Sequence, residues 1–283
     1  MKKVVIIGSK GMAGHMLYHF MKENTDYKVI DVARTLDSHI PAYKIDVTDF
    51  DALDKLFRNE RPDVVINCIG ILNKDAEDNP DRAVLMNSYL PHHLARKGTE
   101  MGFKLIHIST DCVFNGKLGG YTENSIKDGV GFYAQSKALG EVAYGDHLTI
   151  RTSIIGPELK LSGIGLFNWF MNQSGEIKGF TEAWWTGVTT LELAKAVVAA
   201  IGQNISGLHH LVNAHKINKY DLTSLFKTVF SRENISIIPD SHYKVDKSLI
   251  KTKEDFIYDV ASYDEMILDL KNWVDNHPNL YLY

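Results

Sequence analysis

Hydrophobic residues in the first half of the chain fall into short blocks that switch between two periods. Residues 3–7 (KVVII) form an unbroken, β-branched run, the pattern of a strand buried on both faces. A glycine-rich turn follows, and then Leu17, Phe20 and Met21 recur at helical spacing. The alternation continues with strands predicted at 27–32, 43–47, 64–69, 104–108 and 148–152, and helices over 49–59, 80–101 and 132–144. Gly102 closes the longest of these helices as a C-terminal cap. Strands separated by helices of this length need crossover connections, so the pattern predicts an α/β fold with a doubly wound parallel sheet. Beyond residue 156 the period blurs. Residues 158–187 are rich in Gly, Trp and Phe without a clean repeat; helices at 190–201, 220–230 and 263–276 and a short strand at 209–213 stand out after them. The expected organisation is a large domain over residues 1–155 and a smaller lobe over 156–283 that shares elements with the first.

Composition narrows the class. With 283 residues, 45% of them apolar, the chain can bury a full-sized core. A net charge of −4 and the lack of any Lys/Arg block give no global pull toward nucleic acid. Cys68 and Cys112 are the only cysteines, and neither sits in metal-ligand spacing. A disulfide framework is therefore excluded, no metal is expected, and a reducing cytosol is the default compartment. The N-terminal apolar run is too short for a signal-peptide core or a membrane span, so a cytoplasmic protein with no membrane partner is expected.

Candidate chemistry begins at GSKGMAG, with Gly8, Gly11 and Gly14 between the first strand and its helix. Glycines there let the backbone approach a pyrophosphate, and the helix N-terminus offers free N–H groups and positive dipole. The spacing is GxxGxxG rather than GxGxxG, and a ligand-free tight turn is the plain alternative. An acid ending the second strand would grip a ribose 2′-hydroxyl and favour NAD. Asp31 lies too early for that, and Ala33 and Arg34 follow Val32. Arg34 and Lys10 suit a 2′-phosphate, so NADPH is expected and NADH stays open; solvated surface charges are the alternative for both. Asp46 is placed either to accept from an adenine amino group or to cap the next helix.

Two further features bear on proton transfer. FYAQSKALGE puts Tyr133 and Lys137 one helical turn apart on one face. A free tyrosine titrates near 10, and a neighbouring ammonium with an oxidised nicotinamide ring would bring that value down. HISTDCVFNG breaks a strand into Ser109, Thr110, Asp111 and Cys112, a hydroxyl and a thiol at the mouth of a loop.

GxxGxxG at residues 8–14, STD at 109–111 and YxxSK at 133–137 together resemble the extended short-chain dehydrogenase/reductases. STDCVFNG, YTEN, FYAQSKALGE, TIRTSIIGP and GVTTLELAKAV are most similar to their dTDP-4-dehydrorhamnose reductase branch, and NPDRAVLMNSYLPHHLA places Asn87 at that branch's usual Asn. The resemblance implies a Rossmann-type sheet with a C-terminal substrate-binding lobe, and an NADPH-dependent reduction of a 4-keto, 6-deoxy nucleotide sugar in surface-polysaccharide biosynthesis. It implies catalysis by Thr110, Tyr133 and Lys137. Its cofactor set is Gly8, Lys10, Gly11, Met12, Gly14, Arg34, Asp46, Val47, Cys68, Gly70 and Asn87, with Tyr133 and Lys137. Its sugar site would use Thr110, Cys112, Ile154 and Trp185. Two positions depart from the branch: Cys112 stands where Tyr is usual and Ile154 where Trp is frequent, which argues for an altered sugar pocket. A Cys in this loop also resembles that of GDP-fucose synthases, but no His follows Gly156-Pro157 to complete an epimerising pair. Trp185 and its neighbour Trp184 either stack on a sugar or uracil ring or fill the core. A redox-neutral epimerase, an epimerase/reductase and a non-catalytic NADP-binding regulatory subunit are the other readings, and a homodimer stays open.

Overall fold

The first strand shows how the sheet is built. In the computed structural model, which describes residues 1–34, 42–160, 162–281 and 283, Val4 and Ile6 pack into one core and Val5 and Ile7 into another on the opposite face. That two-sided burial is why the run is apolar throughout. In chain order the first elements are β1 (Lys3–Ile7), α1 (Met12–Asn24), β2 (Lys28–Ala33), β3 (Tyr43–Lys44), α2 (Phe50–Glu60) and β4 (Val64–Asn67). Then come α3 (Asn73–Asp78), α4 (Pro80–Ala83), a π turn at Val84–Tyr89, α5 (Leu90–Met101), β5 (Lys104–Thr110), α6 (Phe132–Leu139) and β6 (Leu148–Thr152). The rest comprises β7 (Ile154–Ile155), α7 (Leu166–Met171), β8 (Gly175–Trp185), β9 (Val188–Thr189) and α8 (Thr190–Gln203). It ends with β10 (Gly207–His210), β11 (Ile217–Asn218), α9 (Lys219–Val229), β12 (Ile235–Asp246) and α10 (Tyr263–Asn276).

Seven strands make one parallel sheet in the order β3-β2-β1-β4-β5-β6-β10. This is the Rossmann order with a seventh strand added from the C-terminal half. Residues of α1, α8 and α10 cover one face, including Met16, Leu17, Leu193, Val197 and Leu270. Residues of α2 and α5, among them Leu53, Phe57, Leu90 and Leu94, cover the other. A separate three-stranded sheet, β11-β8-β12, forms from later strands, and in it β12 runs parallel to β8 with a register shift between Asp240 and Lys244.

The sequence pattern misses β8 and β12. In β8 the inward positions include Gly179 and Ala183, too small to mark an alternation, while β12 (ISIIPDSHYKVD) is mostly exposed and carries little hydrophobic signal. The strand expected at 209–213 begins earlier, at Gly207, and the helix expected over 132–144 stops at Leu139.

The helix expected over 80–101 forms, but in three pieces. Leu90 N–H reaches back five residues to Leu85 O, widening the helix by one residue. Pro91, which follows, has no N–H to give to the carbonyl four residues earlier, that of Asn87. That carbonyl instead abuts Gly140, where a Cβ would stand 1.8 Å from Asn87 O. Gly140→Ala is expected to cost about 1–3 kcal/mol or more, since both clashing groups are backbone. A thermal midpoint unchanged from wild type would contradict this packing.

Candidate active site

The C-terminal ends of β1, β2 and β4 meet where the strand order reverses, the place where doubly wound sheets bind ligands. A cavity of about 470 Å³ opens there. Gly8, Lys10, Gly11 and Met12 line it from the first turn, Arg34, Asp46 and Val47 from the β2 side, and Cys68 and Gly70 from the loop after β4. Gly14 is not on the wall. It lies beneath the turn, where a Cβ would stand 2.1 Å from Gly8 O, so its role is to let α1 pack against the glycine loop. Asp31 is buried inside β2 and accepts from Ala42 N–H at 3.0 Å, away from the cavity lining. Asp49, not Asp46, caps α2, accepting from Ala52 N–H at 3.0 Å. Asp46 accepts from Thr48, and those bonds, helped by Arg34 and Arg82, hold its carboxyl below the ordinary value. The Cys68 thiol is pushed up to about 12 by burial and is a wall, not a nucleophile.

Sequence reasoning missed part of this cavity. Arg82 of α4 lines it beside Arg34, and Glu158, Lys160 and Gly163 close it from the segment after β7. Nothing local in NPDRAV or PELK marks these residues; the crossover geometry brings them in.

On the far side, Thr110 ends β5 and Tyr133 and Lys137 occupy successive turns of α6. Burial pushes the Tyr133 phenol above its ordinary value, and the Thr110 hydroxyl offsets part of that rise. Lys137 Nζ donates to Ile108 O at 2.7 Å, and burial brings it down to about 8. Beneath it lies a short chain of bonds. Ile69 N–H donates to Asn67 Oδ1 at 3.1 Å, so Asn67 Nδ2 donates to His107 Nδ1 at 3.2 Å. Burial keeps His107 neutral, with its proton therefore on Nε2, 3.3 Å from Lys137 Nζ. Lys137 thus faces an N–H on that side, which adds to the cost of its ammonium form.

Asn87 is not on the wall of the glycine-loop cavity. The π turn aims its amide at the loop after β4: Oδ1 accepts from Ile71 N–H at 2.8 Å, while Nδ2 donates to Ile71 O at 2.9 Å and to Ser136 Oγ at 3.0 Å. One amide therefore ties the loop after β4 to the helix of Tyr133 and Lys137.

Cys112 sits in a 3₁₀ turn (Asp111–Val113), its N–H donating to Thr110 Oγ1 at 3.1 Å. A second cavity of about 430 Å³ is lined by both Cys112 and Tyr133, with Asn73, Glu77, Lys117 and Lys247. Burial and Asp111 raise the Cys112 thiol to about 11, and Lys247 Nζ donates to its Sγ at 3.4 Å. Ile154 pairs within β7–β9 and lines neither cavity. Trp185 is buried against Tyr263, ring centroids 5.9 Å apart, and so fills the core instead of offering a free stacking face. Trp184 is half-buried, with Lys216 Nζ 4.8 Å over its ring. Among the described residues no cluster of three or more His, Cys, Asp or Glu could hold a metal, and no helix is long and apolar enough to cross a membrane.

A family model described as the RmlD substrate-binding domain matches residues 1–266. The chain belongs to this family. Its relatives include a dTDP-4-dehydrorhamnose reductase of Mycobacterium tuberculosis, 34% identical over 151 residues, 50% of this chain and 45% of that protein. The chain thus spans about half the length of that relative. Methionine adenosyltransferase 2 subunit beta of Xenopus tropicalis is 25% identical over 259 residues, covering 86% of this chain and 75% of that one. A solved dTDP-4-dehydrorhamnose reductase of Bacillus anthracis, in complex with NADP, superposes with a TM-score of 0.80 at 20% identity, over 96% of this chain and 99% of that one. That likeness fixes the fold of the family member described here.

Proposed function

We propose that this protein is an NADPH-dependent reductase of a 4-keto, 6-deoxy nucleotide sugar. The observation that carries the reading is Tyr133 on the wall of the cavity beside Cys112, with Lys137 one helical turn away and a dinucleotide-type cavity at the glycine loop. The cavity fits NADP: the glycine loop leaves room for a pyrophosphate, and Lys10, Arg34 and Arg82 supply cations for phosphates. A reduced nicotinamide bound there supplies the hydride. The chain's own residues handle the charge that develops on the ketone oxygen. Tyr133 donates a proton to it, Thr110 hydrogen-bonds the same atom, and Lys137 orients the ribose and stabilises the phenolate that Tyr133 becomes. In this reading residues 1–155 hold most of the cofactor, Glu158, Lys160 and Gly163 close over it, and the rest of 156–283 shapes the sugar side. The names of the relatives, with reductases among them, support a nucleotide-sugar substrate.

NADPH consumption with dTDP-, UDP- and GDP-linked 4-keto-6-deoxy sugars tests this. Consumption matching product one to one is the expected result, with NADPH favoured over NADH by about tenfold or more through the phosphate contacts. Product without consumption would make the protein an epimerase. Tight NADP binding with neither would favour the regulatory role that the name methionine adenosyltransferase 2 subunit beta brings to mind.

A further inference from the structure

Two lysines at the Cys112 side of the cleft have no partner in the proposed proton transfer. Lys247, just past β12, points its Nζ at Cys112 Sγ, 3.4 Å away. Lys219, the first residue of α9, lies in a different element altogether, with its Nζ 4.7 Å over the Trp185 ring. Asn218 and Asp246 both pair with Trp184 at the end of β8, so Lys219 and Lys247 follow that strand end from either side; burial brings the Lys219 ammonium down to about 8 against the pull of Asp111 and Cys112. Lys216 by contrast pairs with Asp246 at 2.8 Å and Lys178 with Asp240 at 3.0 Å, while Lys117 shares the cavity wall with Lys247. Neither Lys219 nor Lys247 is ion-paired to a carboxylate among the described residues. Asp111 draws both, but it is buried and already accepts from Thr110 Oγ1 at 3.1 Å. Glu77, on the same cavity wall, is engaged by the Tyr133 backbone N–H at 3.2 Å.

Two half-buried ammonium groups sharing one carboxylate leave an excess positive charge beside the substrate cavity. Such an arrangement is costly until an anion arrives. We propose that Lys219 and Lys247 bind the diphosphate of the nucleotide-sugar substrate, and so act as substrate-binding residues that set its position relative to Tyr133. The proposal rests on the reductase reading for the identity of the anion. A diphosphate carries two charges on adjacent phosphoryl groups and matches two separate ammonium donors, which a neutral hydroxyl does not. Trp185, which is core to the lobe, contributes by holding Lys219 over its ring face.

Calorimetric titration of the NADP-loaded protein with dTDP, UDP and GDP tests this without needing the sugar. At least one should bind. Lys219→Met and Lys247→Met should each weaken it by about tenfold or more, as expected for a lost hydrogen bond to a charged group. Lys→Arg at either position should restore most of the affinity, and raising salt should erode it. NADPH fluorescence titration should be unchanged in all variants, which shows that they are folded and loaded. Wild-type affinity for the nucleoside diphosphate in the double Met variant would overturn the proposal, as would binding by none of the three while a 4-keto nucleotide sugar is reduced. Failure of the reductase reading itself shows separately, as no NADPH consumption by the wild-type protein with any 4-keto nucleotide sugar.

Discussion

Tyr133→Phe is expected to cut NADPH-dependent turnover by roughly 10²–10⁴-fold, the usual worth of a positioned general acid, while leaving NADPH affinity close to wild type. The substitution keeps the buried ring and removes only the hydroxyl, so no cavity forms and the cofactor wall, which Tyr133 does not line, is untouched. Thr110 would remain as a donor to the ketone oxygen, but its hydroxyl is already tied to Asp111 and Cys112. Single-turnover NADPH oxidation and fluorescence titration separate the two effects. Retention of more than a tenth of the wild-type rate would remove Tyr133 from the mechanism. A pH profile adds a second readout. Burial brings Lys137 to about 8, so its positive charge is lost as pH rises through that value. The wild-type rate should therefore decline on the alkaline side of pH 8, even though burial keeps the Tyr133 phenol protonated there.

Glu141→Gln is expected to destabilise the protein by about 3–5 kcal/mol, because it leaves Arg151 buried without its counter-charge. The carboxylate follows α6 and is almost fully enclosed, as is the guanidinium on β6. Arg151 Nε donates to Oε1 at 2.7 Å and Nη2 to Oε2 at 2.6 Å, a two-pronged pairing, and Ser109 Oγ donates to Oε1 at 2.7 Å. Arg151 Nη1 also donates to His210 Nε2 at 2.8 Å, and burial together with Arg151 holds that imidazole down to about 4, neutral. Burial alone would raise the Glu141 carboxyl; Arg151, Ser109 and Lys127 outweigh it and hold the group below its ordinary value. The stability it lends is thus present above the ordinary carboxyl pKa and is lost as pH falls through the lowered one. Urea denaturation should show the loss in the single variant and recover much of it in Glu141→Gln/Arg151→Met, where no orphan charge is left. A single-variant loss under about 1 kcal/mol, or a double variant worse than the single one, would refute this account.

The parts of the site that were legible before the structure are those written into contiguous residues. The glycine turn, the strand end at Thr110 and the Tyr133–Lys137 turn each carry their geometry in their own spacing, because a tight turn or a helix face is a local object. What stayed hidden depends on distant segments meeting. Arg82 and Lys160 reach the cofactor cavity only through the crossover of α4 and the return of the segment after β7. Lys219 and Lys247 follow the end of β8 from either side, at the start of α9 and past the end of β12, and β12 itself was invisible because its exposed residues alternate weakly. Asn87 was found by its position but not for what it does: no hydrophobic period marks the π turn that carries its amide onto Ile71. Trp185 shows the opposite error. An aromatic pair at a lobe junction suggested a stacking face, yet packing against Tyr263 used the ring for the core.

The seventh strand has a consequence for how the molecule can come apart. β10 hydrogen-bonds along β6 through Gly207–His210, although it arrives after half the smaller lobe has been laid down. A chain cut near residue 155 would leave β6 as an open edge, its N–H and C=O groups offered to any passing strand. Residues 1–155 would keep β6 shielded from self-association only while Gly207–His210 stay attached, so the two stretches are expected to fold, and to be degraded, as one object.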